Sequence, residues 1–131
     1  MTVPPAPPRL DHCVLKVADW ERSDAFYADV VGASVQDLPF GRRAYRFGDV
    51  QLNVHGPGSR PHPQPARATG PGSADLCFEW DGPIADAVAH LERCGVEVIE
   101  GPVERVGARG DGVSVYFHDP DGTLLEFISY V

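Results

Sequence analysis

Three side chains that suit a divalent metal interrupt strand-like runs of this 131-residue chain: His12 in "RLDHCVLKV", Asp75 in "ADLCFEW" and Glu126 in "TLLEFISYV". Two carboxylates brought together are costly unless a proton or cation compensates them, and an imidazole with two carboxylates leaves a divalent ion open positions for substrate or water. In "VQLNVH", Asn53 and His55 alternate onto one face and are candidates for the same surroundings. A carboxylate released from the metal, Glu126 or Asp75, or else the His55 imidazole, is suited to moving a proton. Arg46, in "RAYRF", faces the same way by alternation and could hold an anionic group, or equally a place on the surface. Each residue alone also has an ordinary role: His12 as a hydrogen-bonded core histidine, Asp75 as a cap, Glu126 on a wet face, His55 at a strand end.

The elements that must position these residues occur twice in the same order. Residues 9–17 alternate as a strand, with Cys13, Leu15 and Val17 on one face and His12 and Val14 on the other. Asp19 is placed to cap a helix through "WERSDAFYADVVG" that stops at Gly32, and three strand-like runs follow. After a Gly- and Pro-rich stretch the order returns: "ADLCFEW", the amphipathic "PIADAVAHLERCG", then "VEVIEGPVE", "GVSVYFH" and "TLLEFISYV". The fold class expected is α+β, two βαβββ modules forming a curved mixed-sheet cup with the helices outside. Residues 1–8 read as a flexible leader, 9–55 as the first module, 56–73 as an exposed linker and 74–131 as the second module. Superposing the halves sets Asp75 on His12 and Glu126 on Asn53.

A formal net charge of −8 without a Lys/Arg cluster argues against a nucleic acid or an anionic membrane as partner. The amino terminus lacks a signal-peptide pattern and no run approaches the roughly 18 apolar residues that span a bilayer, so the expectation is a soluble cytoplasmic protein acting on a small molecule. Cys13, Cys77 and Cys94 are odd in number and form no C-x-x-C pair, and they read as reduced core thiols. His90 and His118 read as surface residues.

The stretches "LDHCVLKVADWERSDAFYADVVGA", "ADLCFEW" and "VYFHDPDGTLLEFISY" resemble the vicinal oxygen chelate superfamily, which includes glyoxalase I, fosfomycin-resistance enzymes, extradiol dioxygenases and bleomycin-binding proteins. The resemblance implies metal ligands at His12, Asp75 and Glu126, with Asn53 or His55 less securely, although the family usually has histidine where this chain has Asp75. It implies lyase, isomerase or thiol-transfer chemistry on a substrate held by Ser114 and Tyr116, with Asn53 and Arg46 as further candidates, and the hard carboxylate ligands favour Mn, Fe, Ni or Zn as the metal. The Ser-x-Tyr pair, Ser114 and Tyr116, matches one that the fosfomycin-resistance branch uses to hold its phosphonate. A homodimer is expected, with modules pairing across chains. The alternative is a metal-free module that sequesters a drug, as the bleomycin-binding relatives do.

Overall fold

The opening strand β1 (His12–Lys16) buries Leu15 and turns His12 and Val14 outward, as alternation requires. This is a computed structural model, and it describes residues 6–131. Helix α1 (Trp20–Phe26) starts at Asp19, whose carboxylate accepts the Arg22 N–H at 2.9 Å, and runs into a wider π turn over Tyr27–Val31. Gly32 ends that turn at φ 88°, a left-handed conformation that a side chain would strain. Strands β2 (Ser34–Leu38), β3 (Arg42–Phe47) and β4 (Val50–His55) complete the first module. The second contains β5 (Asp75–Glu79), α2 (Ile84–Arg93), β6 (Glu100–Gly107), β7 (Gly110–His118) and β8 (Leu124–Ser129). In α2 the spacing of Ile84, Ala87, Val88 and Leu91 places them on one face, and Ala87 and Leu91 are fully buried.

Each module forms its own four-stranded mixed sheet, in the orders β1-β4-β3-β2 and β5-β8-β7-β6, so the fold is α+β with two βαβββ repeats. Two runs end differently from their sequence pattern. β2 stops before Pro39, which begins a short helical turn, and β6 begins at Glu100 and runs to Gly107. Among the described residues, no helix is long and apolar enough to cross a membrane.

One core joins the modules. Leu15, Leu52 and Val54 from the first sheet, Tyr27, Val30 and Leu91 from the helical layer, and Val115, Phe117, Leu125 and Phe127 from the second sheet belong to a single buried cluster. Each such side chain contributes about 1.5–3 kcal/mol by leaving water. Helix α1 touches both sheets, since the Tyr27 ring stacks on Tyr45 at 4.9 Å while Phe26 meets Phe117 at 6.4 Å. The "DPDG" turn locks this arrangement. Buried Asp119 accepts the Tyr27 hydroxyl at 2.7 Å and the backbone N–H groups of Asp121 and Thr123 at 2.8 and 2.9 Å. Burial, reinforced by the Asp119 charge, holds the Tyr27 phenol protonated far above the usual tyrosine range. Asp121 accepts the Ala18 N–H at 3.3 Å and pairs with Arg22 at 3.4 Å.

Two surface readings change. Cys77 and Cys94 are exposed and so are not core thiols, whereas Cys13 is half-buried and packs against the core. His90 is half-buried: its Nε2 lies 2.7 Å from the Val30 carbonyl and its ring stands 5.5 Å from Trp80, so it joins α2 to the end of α1's turn.

Candidate functional site

The face of the second sheet away from the helices carries the carboxylates. Register pairs Glu126 with Cys77 on one side and Tyr116 on the other, and places Asp75 two residues before Cys77 on the same face. Asp75, Glu100, Arg105, Tyr116, Leu124 and Glu126 line an open depression of about 570 Å³. Arg105 was not legible as a site residue, because "PVERVG" contains no motif. Its Nε–H donates to the Tyr116 hydroxyl at 3.0 Å, a second nitrogen meets Glu100 at 3.2 Å, and the guanidinium lies 5.5 Å over the Tyr116 ring. Since the Tyr116 oxygen accepts from Arg105, its own proton remains available to a ligand. Ser114 lies further along the same face, fully buried, and its hydroxyl has no partner.

The carboxylates mark their surroundings electrostatically. Although Cys77 is exposed as a residue, partial burial of its thiol, then the charge and hydrogen bond of Glu126 and the charge of Asp75, push the thiol up to about 12. Cys77 is therefore expected to react slowly with iodoacetamide at pH 8, and Glu126→Gln to accelerate that reaction about tenfold, because thiolate is the reactive form. Timed alkylation read by peptide mass spectrometry checks this. Equal rates in the two proteins would contradict the assigned cause.

The matching face of the first sheet carries the other candidates. Its register pairs His12 with Gln51, Val14 with Asn53 and Lys16 with His55. The offset between His12 and Asn53 thus repeats that between Asp75 and Glu126. His12 Nδ1 lies 2.8 Å from the Asp11 carboxylate and the ring is 39 % exposed, which orients the imidazole and leaves Nε2 without a partner among the described residues. Arg46 donates to Gln51 at 3.0 Å, and Gln51 donates to Asn53 at 2.7 Å, a polar chain along this face. His55 stands four residues from the level of His12, about 13 Å along the strand. The segment of residues 56–74 folds over it as a strap, with Lys16 Nζ donating to the Thr69 carbonyl at 3.3 Å.

Residues of both modules meet in the common core, and the depression that holds Asp75 and Glu126 is lined by second-module residues, without His12. Among the described residues, no three His, Cys, Asp or Glu side chains gather to hold a metal. The structure brings Asp75 to Glu126 and Tyr116, and separately lines up His12, Asn53 and Arg46.

This architecture, two βαβββ repeats with polar outer faces, has known counterparts. The model of the Glyoxalase/Bleomycin resistance protein/Dioxygenase superfamily matches residues 9–127, and the chain belongs to that superfamily. It is similar to virulence protein STM3117 of Salmonella typhimurium, with 43% identity over 94% of this chain and 85% of that protein. The crystal structure of that relative superposes with a TM-score of 0.89 over 96% of this chain and 98% of the other, at 42% identity. The glyoxalase domain-containing protein RDO1 of Mycosarcoma maydis is 43% identical over 92% of this chain and 68% of its own length. TnmS3, an antibiotic binding protein from Streptomyces, shares the fold with a TM-score of 0.71 at 24% identity, over 95% of this chain and 97% of that one.

Proposed function

We propose that the chain is a metal-dependent, glyoxalase-like enzyme that works as a homodimer, with His12 of one copy facing Asp75 and Glu126 of the other. The observation that supports this best is the shared register: each polar face offers donors at equivalent levels of its first and last strands, and neither face alone holds a full set. Two exposed, complementary faces on one chain are what a two-fold partner closes. Hard oxygen donors with one imidazole fit Mn, Fe, Ni or Zn. Bound there, such a metal would hold two oxygens of a small substrate and stabilise the negative charge that develops on them. Around it the Tyr116 hydroxyl, oriented by Arg105, donates to a substrate oxygen, and Asn53 and Arg46 supply further polar contacts, while Ser114 is buried beneath the face. Glu126 takes and returns the proton, since it lies in the depression with Tyr116, whereas His55 lies under the strap.

Adding Mn, Ni or Zn is expected to raise Tm by mass action, about 2.7 kcal/mol of stabilisation at a hundred times Kd, and His12→Gln to lose most of that gain. Thermal melts with and without metal check this. An equal gain in His12→Gln would favour the second reading, a metal-free module that sequesters a drug. That reading draws support from the lack of a three-donor cluster among the described residues of one chain and from a fold shared with an antibiotic binding protein.

A further inference from the structure

The first sheet's polar face has a second feature, at the end away from His12, that the metal reading does not use. His55 separates two recesses of about 430 and 290 Å³ formed where the strap crosses the sheet, close to or within the range usual for small-molecule sites. In a chain of net charge −8, their linings contain Lys16, Arg42 and Arg60 and neither contains an Asp or Glu. The His55 Nδ1 atom is buried and has no hydrogen-bond partner, which is uncommon for a buried polar atom and calls for one. At the mouth, Phe40 is 93 % exposed and held at φ 63°, a conformation costly for a bulky residue. An exposed aromatic ring kept in a strained backbone beside a cationic recess is placed to cover something flat.

We propose that the two recesses together bind one small organic acid, its anionic oxygen group beside His55 between Lys16 of the smaller recess and Arg42 of the larger, and its apolar body against Phe40 and Pro61. The unpartnered His55 Nδ1 gives the ligand one polar contact. The cations supply the charge. Among the described residues, Lys16 and Arg42 each make one bond, to a backbone carbonyl, and so keep N–H groups for an anion. A partner chain's acidic surface would satisfy the same charges from outside. It would not reach the orphaned Nδ1 atom beneath the strap, which favours a small molecule.

Benzoate is the probe, with neutral benzamide as its shape-matched control, titrated into the full chain by calorimetry. Benzoate is expected to bind saturably, at least about tenfold more tightly than benzamide, and to weaken with added salt. Lys16→Ala should cost about tenfold, and Arg42→Ala gives the same test should Lys16→Ala fold poorly. Phe40→Gly should lower benzoate affinity without lowering Tm, because glycine accepts a positive φ. His12→Gln should bind benzoate as wild type does, so that loss of the metal site and loss of this one are told apart. Benzamide binding as tightly as benzoate would overturn the proposal. So would cation variants that alter chain association while leaving benzoate affinity unchanged.

Discussion

Equal amounts of His12→Ala and Glu126→Ala chains, each unable to hold metal alone, are expected to recover about a quarter of the wild-type metal sites once mixed and allowed to exchange subunits. Half of the pairs formed are mixed, and each mixed pair has one site with both residues intact and one with neither. Each variant alone should lose more than the roughly 10- to 100-fold in affinity that follows removal of an outer-shell partner, since a charged or imidazole ligand itself is missing. Metal bound per chain after gel filtration measures the recovery. A mixture that binds no more metal than its components would mean that the polar faces do not complete each other across two chains, and the drug-sequestering reading would move ahead.

Asp119→Ala is expected to destabilise the fold by about 3–4 kcal/mol, well above the common effect of a single substitution. The carboxylate accepts from Tyr27 OH and from two backbone N–H groups, and its loss leaves all three donors short of an acceptor in or near the core. Asp119→Asn keeps one oxygen and should cost about half as much. Urea denaturation of both variants checks the order. An Asp119→Ala protein within about 1 kcal/mol of wild type would show that the turn does not tie the modules together.

Much of the fold was legible because its signals are local. The alternation of Cys13, Leu15 and Val17 against His12 and Val14, the Asp19 cap and the Gly32 stop each depend on neighbours a few residues away, and the structure contains all of them. Other features escaped for a physical reason. Arg105 is a plain surface arginine until the β6–β7 register sets it against Tyr116, and Phe40 looks like the end of a strand until Pro39 turns the chain. The strap residues have no periodicity, so composition suggests only an exposed linker, while packing lays them over His55.

The sequence alone determined the superfamily, the two βαβββ units and the equivalence of His12 with Asp75 and of Asn53 with Glu126. Those properties follow from residue spacing within a module, where side-chain direction is set by strand and helix period. Only the tertiary structure decided how the modules face. That orientation rests on contacts between residues far apart in the chain, such as Tyr27 with Asp119 and Phe26 with Phe117. No periodicity encodes such pairs. They bury apolar side chains of both modules in one core, and Glu126 lies in a depression that His12 does not line.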